Sequence, residues 1–100
     1  MLTITSTAQG DANELKLVGR LDVKSAKEAE AAFGESVESG KNIVLDLSEL
    51  DYIASAGLRA LKRLRGAVKD EGGTLTLRGV NEDVMEVFEL TGFAALLNFE

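Results

Sequence analysis

The chain has 100 residues, of which 45% are apolar and none is Pro, and its formal net charge is 11 − 17 = −6. This composition fits one domain with its own hydrophobic core and excludes a disordered linker. The acidic balance argues against nucleic acid as a partner, because such binders need basic surface to neutralise phosphates. No apolar run approaches the length of a membrane span.

His and Cys are both absent from the sequence, and their absence removes several classes of chemistry. Ser–His and Cys–His catalysis, ordinary zinc sites and disulfides all need these residues. Carboxylates are plentiful, but nothing in their spacing points to paired-acid catalysis. We therefore expect a cytoplasmic binding or switching module that is not an enzyme and that carries no cofactor.

The N-terminal part begins with two segments that alternate apolar and polar residues, 2–7 and 14–18. Turn-forming residues occupy positions 10–13 between them, so we predict an antiparallel hairpin with one buried face. Gly19 then predicts a sharp exit from the second strand. Asp22 follows, in a position to cap the start of a helix.

A first helix is predicted by apolar residues at helical spacing, and Gly40 ends it. These apolar residues are Ala26, Ala29, Phe33 and Val37. A strand follows over 42–47; residues 43–47 form a short apolar run interrupted only by Asp46, which predicts a strand covered on both faces. Because an unpaired buried charge is costly, we expect the Asp46 carboxylate to accept hydrogen bonds from nearby loop N–H groups.

A second helix begins near Ala56 and ends at Gly72, because apolar residues again recur at helical spacing. They are Leu58, Leu61, Leu64 and Val68. Ser55 immediately precedes this helix, where a hydroxyl can accept a hydrogen bond from the free N–H groups of the first turn. The same place favours negative charge, since those N–H groups and the positive end of the helix dipole meet there. Ser55 is therefore either an N-cap or a site for a phosphate.

The last third is predicted to contain a strand at 74–77, a helix capped by Asn81 and closed by Gly92, and an apolar tail over 93–99 that docks on the core. The element order is β-β-α-β-α-β-α plus the tail. Strands separated by helices become parallel neighbours, and the hairpin adds an antiparallel edge. We predict an α/β fold with one small mixed sheet and helices packed against it, as a single domain over residues 1–100.

Four segments in this order resemble the STAS domain, and within it the bacterial anti-sigma factor antagonists. They are Val-Gly-Arg-Leu-Asp at 18–22, Asn-Ile-Val-Leu-Asp-Leu-Ser at 42–48, Ile-Ala-Ser-Ala-Gly-Leu at 53–58 and Glu-Leu-Thr-Gly-Phe at 89–93. Each is a weak pattern by itself, but together they cover nearly the whole chain in the order and spacing of the family. The resemblance implies the fold that the residues predict.

The resemblance also implies a partner switch controlled by phosphorylation. The unphosphorylated antagonist binds an anti-sigma factor that is also a serine kinase, and so frees the sigma factor. The kinase phosphorylates the serine at the helix start, which maps to Ser55, and a serine phosphatase restores the antagonist. Many members have Asp before this serine and Ser or Thr after it, whereas this chain has Ala54 and Ala56. The difference concerns recognition by the kinase more than the fold.

The residues around Ser55 form the predicted partner-binding surface: Asp22, Tyr52, Ile53, Ala54, Ala56, Gly57, Leu58 and Arg59. Some of them have simpler interpretations. Asp22 can be only a helix cap, and Gly57 can reflect close packing of the helix on the sheet. Tyr52 and Ile53 can be either core residues or an exposed docking patch. Arg59 lies one turn along the helix and can face a phosphate.

Two other functions remain open from the sequence. STAS-like domains also serve as non-switching accessory subunits of transporters or larger assemblies, and a small-ligand sensor is a further alternative. Residues 59–71 carry five basic and two acidic residues, a local charge of 5 − 2 = +3, which suits a solvated face or a partner with an acidic rim. Aromatic residues are absent from this basic stretch, which again disfavours nucleic acid.

Overall fold

The structure is a computed structural model that describes residues 2–10, 12–39 and 42–100. Within these residues the elements are β1 (Leu2–Gln9), β2 (Ala12–Leu21), α1 (Ala26–Ser39), β3 (Asn42–Ile53), α2 (Ser55–Asp70), β4 (Leu75–Arg78), α3 (Glu82–Leu90), a 3-10 turn (Phe93–Ala95) and β5 (Asn98–Phe99). The predicted turn residue Asp11 and the predicted helix terminator Gly40 lie outside the described residues. The predicted order of helices and strands is confirmed, and the tail adds the 3-10 turn and a short fifth strand.

The strands form one mixed sheet in the order β1-β2-β3-β4-β5. β1 and β2 pair antiparallel, and every other neighbouring pair is parallel. The predicted hairpin edge and parallel crossovers are therefore confirmed. The C-terminal tail docks on the core as predicted, and it also pairs with β4 as a strand, because Phe99 lies in register beside Leu77.

One face of the sheet carries the hydrophobic core. Leu15, Leu45 and Leu77 lie side by side on neighbouring strands, and all three are buried. α1 and α2 contact each other, and both contact β3. The ring of Phe88 on α3 lies 6.0 Å from that of Phe99, which shares the face of Leu77. The helices are thus held against the sheet by one continuous apolar layer.

The opposite face of the sheet is polar, so the prediction that β3 is covered on both faces is wrong. Buried and partly exposed side chains alternate over the first half of β3, which is typical of a strand with one covered face. Asp46 lies on the polar face, where Arg78 pairs with Glu14 and approaches Asp46 to 3.8 Å. The Asp46 carboxylate accepts hydrogen bonds as expected, but from Ser48 of β3 itself and not from a loop: from the hydroxyl at 2.7 Å and from the backbone N–H at 3.0 Å. The bond from the hydroxyl is the main cause that lowers the pKa of Asp46.

β2 and β3 both run farther than the sequence predicts. Gly19 does not end β2; it adopts φ 110° at an irregularity in the pairing, and the strand continues to Leu21. A second register shift lies between Lys16 and Val18. Such bulges add twist without ending the pairing, so Leu21 still aligns with Ile53. The two strands therefore end level with each other, and their loops emerge side by side.

Candidate functional site

Ser55 is the first residue of α2, and its side chain is exposed. The N-cap is Ala54, with an extended backbone at φ −99° and ψ 173°, and no side chain caps the helix. The interpretation of Ser55 as the N-cap is therefore wrong, because the helix begins one residue earlier than predicted. In the part of the chain that the structure describes, the Ser55 hydroxyl has no hydrogen-bond partner.

The start of α2 presents unneutralised backbone donors. The N–H groups of a first helical turn have no partner inside the helix, and they normally bind a capping side chain or water. Here the cap position holds Ala54, and the first turn contains no acidic residue. The positive end of the helix dipole is therefore uncompensated beside the exposed hydroxyl of Ser55.

Asp22 caps the turn that leads into α1, as predicted. Its Oδ1 accepts hydrogen bonds from the backbone N–H groups of Lys24 and Ser25, each at 3.1 Å. In return, the Ser25 hydroxyl accepts from the Asp22 N–H at 2.9 Å and donates to the Arg20 carbonyl at 2.8 Å. This reciprocal arrangement is a capping box. The hydrogen bond from the Ser25 backbone is the main cause that lowers the pKa of Asp22.

The loop that begins at Asp22 is fixed to the start of α2. The backbone N–H of Ala54 donates to the carbonyl of Leu21 at 2.9 Å. Gly57 packs so closely that a Cβ there would lie 2.7 Å from Leu21 Cγ and 2.9 Å from Ile53 Cγ1. The close-packing interpretation of Gly57 is confirmed. The loop that begins at Asp22 and the start of α2 are thus held next to each other.

The residues predicted to form the partner surface divide into two groups. Exposed or partly exposed are Asp22, Tyr52, Ala54, Ser55, Ala56 and Arg59. Buried are Ile53, Gly57 and Leu58. The sequence did not decide whether Tyr52 and Ile53 are core residues or an exposed docking patch. Tyr52 is 42% exposed, whereas Ile53 is only 4% exposed and belongs to the core. The surface available to a partner is therefore narrower than the sequence predicts.

Two exposed residues beside this site were missed from the sequence. The Arg20 guanidinium carbon lies 4.3 Å from the centre of the Tyr52 ring, which is a cation–π contact. Arg20 and Tyr52 are paired in the β2–β3 register. The sequence could have revealed this contact only if both strands had been predicted at their full length. Val23 is 73% exposed in the turn before α1, and its signal in the sequence was an apolar residue directly after the predicted cap Asp22.

The basic residues of α2 do not form one free surface. Arg63 pairs with Glu30 of α1 at 2.7 Å, and Arg65 Nε donates to the carbonyl of Leu96 at 2.8 Å. Arg59 is exposed and has no ion pair within the described residues. Lys62 and Lys69 are likewise exposed and have no ion pair in the part of the chain that the structure describes, but of the three only Arg59 lies one turn from Ser55.

Across residues 2–10, 12–39 and 42–100, no group of three or more His, Cys, Asp or Glu residues could hold a metal ion. In the same residues, no helix is both long and apolar enough to cross a membrane. The site thus consists of an exposed hydroxyl at a positive helix end, and the loop that begins at Asp22 is joined to that helix start by a backbone hydrogen bond.

Comparison with known proteins assigns this arrangement to a family. The family model described as "Mlab, STAS domain" matches residues 4–98. BtrV of Bordetella bronchiseptica, described as a candidate anti-sigma factor antagonist, is 37% identical over 81 residues, which cover 80% of this chain and 70% of that protein.

Solved structures show the same fold. A candidate anti-sigma factor antagonist from Thermotoga maritima gives a TM-score of 0.89 at 23% identity, covering 96% of this chain and 84% of that one. The phosphorylated form of SpoIIAA, a Bacillus cell fate determinant, gives a TM-score of 0.75 at 14% identity, and the match covers 100% of this chain and 91% of that one. With the fold, the family model and the sequence relatives in agreement, the chain belongs to the STAS-domain family, in its anti-sigma factor antagonist branch.

Proposed function

We propose that this chain is an anti-sigma factor antagonist controlled by phosphorylation of Ser55. Unphosphorylated, it binds an anti-sigma factor that is also a serine kinase, and so releases the sigma factor. The kinase ends this binding by phosphorylating Ser55, and a serine phosphatase restores it. The chain itself acts by binding and catalyses no reaction.

One observation carries the proposal: Ser55 is exposed at a helix start that no side chain caps. A serine hydroxyl that is accessible and has no hydrogen-bond partner in the described chain can enter a kinase active site without breaking a contact. The first-turn N–H groups and the dipole then favour the dianionic product. These groups support a phosphate that is accommodated without unfolding the helix.

Release of the partner follows from charge and bulk. Phosphorylation adds about −1.5 to −2 charges and three acceptor oxygens at neutral pH. The added charge lies on the same surface as the Asp22 carboxylate, so a partner that fits the unmodified surface meets repulsion and a steric clash. A loss of about 3 kcal/mol weakens binding by roughly a hundredfold, which is enough for a switch.

The surface around Ser55 has the composition of a binding hot spot. Tyr52 is aromatic and half-exposed, Arg20 is stacked on it, and Val23 projects into solvent. Aromatic and Arg residues dominate the energetics of protein interfaces. We expect Tyr52→Ala to weaken binding of the anti-sigma factor by at least tenfold, as measured by isothermal titration calorimetry.

The first experiment is to incubate the chain with anti-sigma kinases and ATP and to map the product by mass spectrometry. One phosphate at Ser55, removed by a serine phosphatase, is the expected result. Ser55→Ala should accept no phosphate. Ala54→Asp, which restores the residue common in the family, should be phosphorylated faster by the same kinase.

The second experiment measures binding of the variants to the anti-sigma factor. Ser55→Ala should bind as tightly as the wild type even with ATP present, whereas Ser55→Asp should bind at least tenfold more weakly. Ala95→Asp is the matched control, because it adds the same charge at an exposed position of the 3-10 turn, away from Ser55 in sequence and on another element. Equal binding by Ser55→Asp and wild type, together with no phosphorylation by any kinase that binds, would overturn the switch and favour a non-switching accessory subunit.

A further inference from the structure

The outer edge of β1 lacks the features that usually protect an edge strand. β1 has eight residues, lies at the end of the sheet and pairs only with β2 among the described strands. Its sequence, Leu-Thr-Ile-Thr-Ser-Thr-Ala-Gln, contains no charged residue and no Pro, and its register with β2 shows no bulge. The opposite edge strand, β5, has only two residues. A long, regular edge with unpaired N–H and C=O groups is a template for another strand.

A groove runs between this edge and α1. It consists of two adjoining hollows of about 440 and 330 Å³, which share Ile4 and Ala32 as an apolar floor. Glu35 borders the first hollow and Glu28 borders the second. Both glutamates are exposed, and neither has an ion pair within the described residues. The groove therefore combines an apolar floor with an acidic rim.

We propose that this edge binds an extended segment of a partner protein, which adds a strand to the sheet beside β1. Main-chain hydrogen bonds to β1 hold the segment, and alternate side chains point into the groove. An apolar side chain covers Ile4 and Ala32, and a basic side chain on each side of it reaches a glutamate. This proposal is independent of Ser55 and of phosphorylation.

The spacing of the two glutamates fits such a segment. Glu28 and Glu35 are seven residues apart on α1, a rise of about 10 Å. Residues i and i+4 of an extended strand are about 13 Å apart and point to the same side. Two lysines at i and i+4, with an apolar residue at i+2, therefore match the groove, because the flexible lysine side chains absorb the small difference.

Charge favours a basic segment of a partner over a second copy of the same chain as the occupant of this edge. β1 contains no basic residue that could pair with Glu28 or Glu35 of another copy. Two copies would also each carry a net charge of −6, and like charges oppose association. A basic segment is attracted to the same rim, so the partner has the stated alternation of basic and apolar residues.

The test uses a designed peptide, acetyl-Thr-Lys-Thr-Val-Thr-Lys-Thr-amide, titrated into the isotope-labelled 100-residue chain and followed by NMR. We expect saturable shifts confined to β1 and to the groove side of α1. A matched peptide with Glu in place of both Lys residues should bind at least tenfold more weakly. N-methylation of alternate amides of the basic peptide should abolish binding, because it removes the main-chain hydrogen bonds.

A charge-reversed variant of the chain completes the test. Glu28→Lys combined with Glu35→Lys should weaken binding of the basic peptide by at least tenfold. Glu38→Lys is the control, because Glu38 is exposed on α1 but does not border the groove. This variant should bind the basic peptide as tightly as the wild type does. Absence of binding at millimolar peptide, shifts centred elsewhere, or concentration-dependent self-association through β1 would each overturn the proposal.

Discussion

Ser55 and Asn81 stand at two helix starts that are built differently. Asn81 is a true N-cap of α3: its side chain accepts from the Val84 N–H at 2.9 Å and donates to the Leu50 carbonyl at 2.7 Å. The Ser55 hydroxyl has no such bond in the described chain, since Ala54 occupies the cap position of α2. The difference separates a residue that stabilises the fold from one that is free for chemistry.

We predict that Ser55→Ala changes the free energy of unfolding by less than about 0.5 kcal/mol, as expected of a surface substitution. Asn81→Ala is the contrasting variant and should destabilise the protein by about 1–2 kcal/mol, because it removes a cap. Urea unfolding monitored by circular dichroism measures both. A loss of more than about 1 kcal/mol for Ser55→Ala would contradict the absence of a structural role for this hydroxyl.

Gly57 and Gly66 provide a second matched pair, both inside α2. An added Cβ at Gly57 would lie 2.7 Å from Leu21 Cγ, whereas nothing lies within 4 Å of one at Gly66. Gly57→Ala should therefore destabilise the protein by about 1–3 kcal/mol, and Gly66→Ala should stabilise it by about 0.5–1 kcal/mol. Thermal unfolding should move the two midpoints in opposite directions. Equal effects would show that α2 is free to shift away from the sheet.

At single residues, the sequence predicted roles that depend on local bonding and missed those that depend on neighbouring strands. The cap at Asp22 was predictable, because its partners lie two and three residues along the chain. The contact of Arg20 with Tyr52 was not, because it joins two strands 32 residues apart. The exact start of α2 was missed by one residue, since Ser is the more usual N-cap than Ala.

At the scale of an element, α2 lacks a stabilising cap that substitution can supply. Ala54 already has the extended backbone of an N-cap residue, so an Asp there can accept from the first-turn N–H groups. We predict that Ala54→Asp raises the free energy of unfolding by about 1 kcal/mol at pH 7, measured by urea unfolding. The gain should shrink as pH falls through the range in which the new carboxylate protonates. A gain that persists at pH 2 would have another cause.

The elements themselves were largely predictable, but their ends were not. Hydrophobic periodicity located all three α-helices and four strands, because burial of one face leaves a clear pattern. The extension of β2 past Gly19 escaped prediction, since a glycine at a bulge and a glycine at a strand exit look the same. The apolar run in β3 suggested two covered faces, and only its neighbours showed that Asp46 lies on an open one.

At the scale of the whole molecule, two carboxylates tie stability to pH. Hydrogen bonds from Ser25 and Ser48 lower the pKa of Asp22 and Asp46, respectively, below their ordinary value. In the unfolded chain both groups regain the ordinary value near 3.9, so in acid the unfolded chain binds more protons than the folded one. The stabilisation is complete above pH 5 and is lost as pH falls from about 4 through the lowered folded-state pKa values.

We therefore predict that the urea midpoint falls between pH 5 and pH 2.5, and that Asp22→Asn combined with Asp46→Asn makes this fall smaller. Asp51→Asn is the control, because Asp51 is exposed and accepts no hydrogen bond among the described residues. It should leave the fall unchanged. An identical fall in the double variant would assign the acid sensitivity to other groups.

The architecture and family of the chain were predictable from motif order, whereas the shape of the candidate site was not. The sequence left Asp22 either as a helix cap alone or as part of a surface beside Ser55, and in the structure a hydrogen bond from the Ala54 N–H to the Leu21 carbonyl joins the two loops. The basic stretch of α2 seemed continuous in sequence, but α1 and the C-terminal tail engage Arg63 and Arg65. Such contacts depend on the packing of distant elements, which no local pattern reports.

The fixed junction between the Asp22 loop and α2 limits how many proteins can bind over Ser55 at the same time. A typical interface covers roughly 800 Å² on each partner, and the total accessible surface is 5703 Å². Any footprint of that size centred on Ser55 must include the adjoining loop, because one backbone hydrogen bond joins them. A binding partner and an enzyme that removes a phosphate from Ser55 would therefore compete for the same surface. If Ser55 is phosphorylated as proposed, a phosphatase can therefore reach it only after the binding partner has left.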